Sequence, residues 1–541
     1  MALQQAIQDC CVQMEKELTV AEASNIKESE SLIHAYVDGA SMLVGTCGGA
    51  LRNFIQTNGK QPSGLDESSL ADFAASAINC LLGLGNKLQG NMHLQVAYLD
   101  LLVKLCRICK APGVPGDKDY PPLRVAIQVL STIEVSSKIP PQERPVDWMR
   151  QRCYVASQLV ELASNHGKHL VSHFPLVFYP NLWQELQNIS SVYDSKSTGS
   201  FRADICLMCE SLVLLGNHLS IDDRCVLIRN LISVVEVIFS ECEPHFSTIV
   251  DYAAFIGLQG QQNNQSGSLT SINEYIHRQN NLRFSARLLA GILRRFSGDV
   301  ASELHPLLQP LLPRYLNAIR VSMAIWAPDE RTRVGIRPEL MVIFDVSEND
   351  RKALLGTSPT CSWVRSAEPL DPDDTITVYG QNSNLTDPAI VQKFRNFVQC
   401  FAEYSFQLLA HFAKIFGALF YSTPNVGTEL SAVLYTGLQK YPLPLLKTFI
   451  RSFLRPFVTN CPPASYNDAV VPMLRPFVLH INQILKERWN EVGESANSKQ
   501  SEQTEIIETE TTRQLTQEYM SFCCMLFLPI NRPLVIRFLF T

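Results

Sequence analysis

Pro442-Leu-Pro-Leu-Leu-Lys-Thr-Phe-Ile-Arg-Ser-Phe-Leu-Arg-Pro-Phe-Val458 is followed by a Cys461-Pro462-Pro463 break and a second apolar run that ends at Trp489. In the first run Lys447, Arg451 and Arg455 fall four residues apart. At about 100° per residue they stack along one side of a helix, while Leu446, Phe449, Ile450 and Phe453 fill the other. One face is a core and the opposite face is a ladder of cations. Two such helices joined by a short proline turn cannot bury their apolar faces alone and need stacked neighbours to do it. The expected fold is therefore all-α, an α-solenoid of HEAT- or armadillo-like helical pairs.

The same three- and four-residue spacing of apolar residues recurs along the chain, and period-two alternation is scarce. Leu99, Leu102, Cys106 and Cys109 show it, as do Leu212 and Leu215, then Leu227, Leu231, Val234 and Ile238, then Phe397, Phe401, Tyr404 and Leu408. The pattern predicts roughly eighteen helices, hence about nine repeats at two helices each. The 541 residues are 46% apolar with no shift in composition to mark a boundary, so residues 1–541 read as one continuous solenoid. Gly, Pro, Ser, Asn and Asp cluster at 57–69, 111–122, 258–270, 357–388 and 491–510, which read as loops. The last carries Glu491, Glu494, Glu502, Glu505, Glu508 and Glu510 and reads as mobile. Beside a cation ladder it would mimic or repel a polyanion; a solvated insertion is the plainer alternative.

Net charge is −6, so any grip on nucleic acid must come from local basic patches and not from the overall field. Met1-Ala-Leu-Gln-Gln lacks a basic n-region and an apolar h-region, and the sixteen cysteines are expected to be reduced inside a cell. Pro529, Arg532, Pro533 and Arg537 interrupt 519–541, which is not read as a membrane span. Gly83, Gly85 and Gly90 lack phosphate-loop spacing, and neither G-x-S-x-G nor H-E-x-x-H occurs, so neither an enzyme nor a cofactor is expected. The C-x-x-C pairs Cys106/Cys109 and Cys206/Cys209 could bind zinc or exchange thiols, but both continue helical apolar stripes and read as core. His166, His169 and His173 have helical spacing, yet Gly167 and Pro175 suggest a turn between helices and no metal site.

Basic stripes are the remaining signal. Arg283, Arg287 and Arg294 share one side of a helix, with Leu289, Ile292, Leu293 and Phe296 opposite and Arg295 beside them. Arg150 and Arg152 open another helix, where cations oppose the macrodipole and an external anion would relieve the conflict. Such spacing matches phosphates along a nucleic-acid backbone; each stripe could equally be the wet side of an amphipathic helix.

Several segments of the chain resemble the exportin-5 family, karyopherins of the importin-beta superfamily. The segments are Met149-Arg-Gln-Arg-Cys through Phe174, Asp204-Ile-Cys-Leu-Met-Cys-Glu-Ser-Leu-Val-Leu-Leu-Gly-Asn217, Asp251-Tyr-Ala-Ala-Phe-Ile-Gly257, Ile325-Trp-Ala-Pro-Asp-Glu330 and Asp350-Arg-Lys-Ala-Leu-Leu-Gly356. Phe453 to Pro463, Val471-Pro-Met-Leu-Arg-Pro476 and Leu515-Thr-Gln-Glu518 complete them, in the family's order over 147–525. The resemblance implies a nuclear export receptor that wraps double-stranded RNA such as precursor microRNA with a basic inner surface, bound to the GTP form of the GTPase Ran. It also implies nucleoporins as further partners, a monomer, and shuttling between nucleus and cytoplasm. Lys447, Arg451 and Arg455 are the first RNA-binding candidates it supports, joined by Arg283, Arg287, Arg294, Arg295, Arg150 and Arg152. Residues 1–146 have no recognisable counterpart of the family's Ran-binding arch, and 526–541 leave its pattern. The competing reading is a protein-binding HEAT-repeat scaffold without RNA cargo.

Overall fold

The computed structural model describes residues 67–83, 92–109, 120–140, 148–180, 203–259, 272–296, 301–345, 386–435, 441–495 and 502–526, with 9, 12, 13, 16, 35–42, 44, 143, 144, 183 and 438. Of the expected loops 57–69, 111–122, 258–270 and 357–388, residues 57–66, 111–119, 260–270 and 357–385 lie outside the described residues, as does the tail 527–541; 67–69, 121–122 and 388 belong to helices. Among the described residues the structure is helical, and a single antiparallel bridge, Gln259 with Ile336, is its one β feature. These residues fall into two compact units, one up to Leu227 and the other from Ile228 onward.

The first unit contains α1 (Glu67–Leu82), α2 (Met92–Cys106), α3 (Pro121–Ser137), α4 (Trp148–Leu170) and α5 (Ala203–Gly216). Each packs on its neighbours in sequence: α1 on α2, α2 on α3 and α4, α3 on α4, and α4 on α5. Paired prolines open α3, where their missing N–H costs nothing. Every residue of α5 from Ala203 to Val213 is buried, Asp204 and Glu210 included, as expected for a helix enclosed on all sides.

Two expectations change here. His166 and Gly167 lie inside α4, which runs unbroken to Leu170. Gly167 does not stop the helix; a Cβ on it would lie 2.8 Å from Nε2 of His218, so its bare backbone leaves room for that ring. Cys109 follows α2 instead of ending inside it, held by N–H bonds to the carbonyls of Leu105 and Cys106.

The helix α6 (Ile221–Cys242) begins in the first unit and ends in the second. There follow α7 (Ile249–Phe255), α8 (Ile272–Arg295), α9 (Ala301–Leu308), α10 (Leu311–Ala324), α11 (Pro328–Val334), α12 (Pro388–Phe416), α13 (Val426–Leu434), α14 (Leu443–Phe449), α15 (Arg455–Asn460), α16 (Val471–Ser495) and α17 (Glu502–Leu526). Their packing partners sort them into two rows. In one row α8 lies against α12, α12 against α14–α15, and α14–α15 against α17. In the other, α7 lies against α10, α10 against α13, and α13 against α16. Contacts of α10 with α12 and of α16 with α17 join the rows into a double layer. This is the arrangement of an α-solenoid, in which each helix pair hides its apolar face on the next. Caps fix the starts: Thr248 accepts the N–H of Asp251 at α7, and Asp387 that of Ala389 ahead of Pro388 at α12. Gly335, at φ 71°, closes α11 in the left-handed conformation.

The acidic stretch 491–510 is not one loop. The helix α16 continues to Ser495 and α17 starts at Glu502, leaving residues 496–501, outside the described ones, between them. On α17 Glu508 and Glu510 are half-buried, and the helix buries Thr512, Leu515, Tyr519 and Phe522.

Proline also reshapes the run that decided the fold. Between α14 and α15, residues Ile450–Leu454 form a π-turn, and the N–H of Arg455 reaches back five residues to the carbonyl of Ile450. Pro456 cannot donate to Ser452 and its ring would crowd that carbonyl, so the helix widens by one residue ahead of it. The same happens twice more. Val471 N–H bonds Tyr466 O ahead of Pro472, and Tyr179 N–H bonds Phe174 O ahead of Pro180. In all three, the N–H that closes the π-turn belongs to the residue immediately before a proline.

Candidate nucleic-acid interface

The nine basic candidates divide by burial. Arg152 on α4 is fully buried, its guanidinium paired with Asp204 of α5 and bonded to Ile133 O at 2.8 Å and Ser136 Oγ at 2.9 Å. The Trp148 ring lies 5.6 Å from its centre. A cation enclosed in this way joins α3, α4 and α5 and is not offered to a ligand. Its neighbour Arg150 is exposed. The macrodipole conflict expected at this helix start is met from within the protein for Arg152, by a buried carboxylate.

Arg283 and Arg287 depart from expectation for a related reason. The stripe on α8 was expected to be wet, but every residue from Asn281 to Leu293 is buried, because α12 covers the helix. Arg287 donates to Tyr404 Oη of α12 at 3.0 Å with its guanidinium 5.5 Å from that ring. Arg287 therefore belongs to the α8–α12 contact, and Arg283, one turn before it, is enclosed as well. Arg294 and Arg295, past the end of the enclosed stretch, are half-buried.

The 447–455 ladder reaches the surface. Arg451 is exposed, and Lys447 and Arg455 are half-buried. Phe449, Phe453 and Phe457 stack behind them at centroid separations of 5.6 and 5.1 Å. All three rings are fully buried, so the side opposite the cations is anchored in the core. The outer rungs already have partners. Lys447 Nζ donates to Gln514 Oε1 at 2.9 Å, and Arg455 Nη2 donates to Glu518 Oε1 and Ser521 Oγ at 3.0 Å each. Thr459 donates to Met525 Sδ at 3.4 Å. Positions rise together on both sides, so α17 runs parallel to α14–α15, as equivalent helices of successive repeats do.

On α17, Glu510, Gln514 and Glu518 are four apart, an acceptor ladder facing the cation ladder. Glu510 is drawn down to about 2 by hydrogen bonds from Arg513 and Gln514, with the charge of Lys447 adding to them. The Arg455–Glu518 pair is partly exposed and stabilises by only about 0.2–1 kcal/mol. Gln514 and Glu518 lie past the 491–510 stretch read as a loop, and they were not singled out as partners of the ladder because their companions Lys447 and Arg455 are more than sixty positions away. The four-residue spacing through 510, 514 and 518 was the available signal.

In the second unit, the exposed and half-buried cations of α8 and α14–α15 share one row of helices, with α12 between them. No group of three or more His, Cys, Asp or Glu among the described residues is arranged to hold a metal. Cys106, Cys109, Cys206 and Cys209 are buried, and burial pushes the Cys109 thiol up to about 12 and those of Cys106 and Cys209 well above the usual range, against thiol exchange. None of the described helices is long and apolar enough to cross a membrane.

Comparison with known proteins agrees with this architecture. The Exportin-5 family pattern matches residues 125–533. Exportin-5 of Homo sapiens is 20% identical over 428 residues, which cover 73% of this chain and 33% of that protein. Exportin-5 of Mus musculus is 21% identical over 226 residues, 40% of this chain and 17% of that protein. The chain thus spans about a third of the human relative's length. With a family match over three quarters of its residues and the helical rows that such a match requires, the chain belongs to the Exportin-5 family.

Proposed function

We propose that this chain serves as part of a nuclear export receptor whose cargo is structured, double-stranded RNA such as precursor microRNA, taken up with Ran in its GTP form and carried from nucleus to cytoplasm. The observation that carries this reading is the row α8, α12, α14–α15 of the second unit. It presents Arg294, Arg295, Lys447, Arg451 and Arg455 from helices stacked side by side. Cations fixed on a stacked scaffold suit recognition of an A-form stem through its phosphates, without reading bases. Arg150 supplies a further exposed cation in the first unit. Arg152, Arg283 and Arg287 are left out of the RNA-contacting set because they are enclosed.

The test is retention of a labelled RNA duplex by the full chain, with and without Ran locked to GTP, over a range of salt. The reading expects binding that is indifferent to stem sequence and falls steeply between about 50 and about 200 mM salt. It also expects loss of binding in the Lys447→Glu, Arg451→Glu, Arg455→Glu triple variant. Duplex affinity unchanged in that variant would remove the ladder from the proposal. A protein-binding scaffold is the second reading, favoured by one observation: the ladder's present companion is itself a Glu-bearing helix. That reading expects the chain to capture acidic helical peptides and to ignore duplex RNA.

A further inference from the structure

The cation ladder is occupied by the protein's own side chains. Lys447 is engaged by Gln514, and Arg455 by Glu518 and Ser521. Glu510 stands one turn before Gln514, close enough for Lys447 to help hold it ionised. These groups are the oxygen acceptors that phosphates would replace. The helix that bears them is firmly seated. Leu515 and Phe522 are fully buried, Tyr519 nearly so, and Trp489 of α16 donates its indole N–H to Thr516 Oγ1 at 3.1 Å. Release of the whole helix would expose that apolar side, whereas Gln514 and Glu518 stand at its half-exposed edge and can turn away individually. Only Arg451, between the two engaged rungs, faces solvent.

We propose that α17 is a built-in electrostatic gate on the ladder, with Glu518 and Gln514 competing with RNA phosphates for Arg455 and Lys447 while α17 stays docked. This rests on the RNA-binding reading and adds to it a control on affinity. The gate lowers the affinity of the ladder for any polyanion and reduces its dependence on salt. A rung that stays on its own acceptor neutralises no phosphate and so releases no condensed counterion. It thereby disfavours weak, sporadic contacts with nucleic acid and leaves the ladder to a stem that also engages the neighbouring cations.

The experiment measures binding of a fluorescein-labelled RNA duplex to the full chain by anisotropy, at several salt concentrations, for the wild type and three variants. In Glu518→Gln the affinity should rise about two- to fivefold, the range of a partly exposed ion pair, and the slope of log affinity against log salt should steepen by up to about one. Gln514→Glu keeps the size and adds a carboxylate opposite Lys447; it should weaken binding by a similar factor and flatten the slope. Glu134→Gln, on the exposed side of α3, changes net charge equally but touches no rung, and should change neither quantity. Hydrogen exchange over 506–526 should stay slow in all of them, with RNA bound or free.

If the wild type binds RNA and the Lys447, Arg451, Arg455 triple reversal abolishes it, yet Glu518→Gln and Gln514→Glu leave affinity and salt slope unchanged, the gate is refuted and the RNA reading stands. If Glu134→Gln matches Glu518→Gln, the effect is one of net charge and the gate is also refuted. If no variant binds duplex RNA at low salt, both readings fall.

Discussion

Removal of Arg152 should damage the fold and not the ligand contact, by an amount that can be worked from its surroundings. Its side chain is fully buried, and Asp204, its partner, is fully buried too. Arg152→Ala leaves that carboxylate enclosed without its cation and takes donors from Ile133 O and Ser136 Oγ. Breaking a buried pair from one side costs about 3–5 kcal/mol. Asp204→Ala should cost a similar amount by stranding the guanidinium. The double change Arg152→Met, Asp204→Leu removes both charges at comparable volume and should lie within about 1–2 kcal/mol of wild type, giving a large favourable coupling in the double-mutant cycle. Hydrogen exchange of peptides from 148–170 and 203–216 is the assay, because a chain of two units need not unfold in one step. Exchange there should accelerate at least about a hundredfold in either single variant and largely recover in the double, at about 1.4 kcal/mol per factor of ten. If Arg152→Ala instead leaves exchange unchanged and weakens RNA binding, the structural role assigned to it is wrong.

Four further outcomes follow from burial and packing. Under native conditions near pH 8 a disulfide reagent should label the exposed Cys80 and Cys524 promptly and leave Cys106, Cys109, Cys206 and Cys209 untouched until denaturant is added, read by peptide mass spectrometry; prompt labelling of any of the four would contradict their burial. Gly427→Ala should destabilise by about 1–3 kcal/mol, since its Cβ would meet the backbone oxygen of Ala469 at 2.3 Å. Gly167→Ala meets only the movable ring of His218 and should be neutral or gain up to about 1 kcal/mol from helix propensity, both read from thermal shifts. His218, His245, His277 and His480 are each held below the usual range, first by desolvation, so the unfolded chain binds more protons than the folded one below about pH 6.5. Stability is then full above that pH and declines as pH falls towards the lowered folded values; a melting temperature flat between pH 7.5 and 5.5 would contradict this.

What could be read from residues alone was whatever repeats along one helix. The 442–458 run showed its two faces, and Leu446, Phe449, Ile450 and Phe453 are all buried while Arg451 is exposed. Apolar spacing gave the all-helical class, because periodicity is a property of single elements. One detail failed locally: Gly167 was expected to end a helix that passes through it. There tertiary packing outweighed a residue's isolated preference, as it does for any helix held mainly by its neighbours. Pro456 sits within the run read as one helix, which the chain keeps by widening one turn.

The basic residues show where such reading stops. Arg150, Arg152, Arg283 and Arg451 all have the same standing in a helical wheel, yet two are exposed and two are enclosed. Nothing in the spacing of 283 and 287 tells that α12 lies over them, and nothing near 447 tells that residues 514 and 518 face it from more than sixty positions away. A wheel fixes which side chains share a face of one helix, because that follows from backbone geometry. Whether a face meets water, a carboxylate or another helix depends on long-range packing, and that is settled only when the rows of helices close on one another.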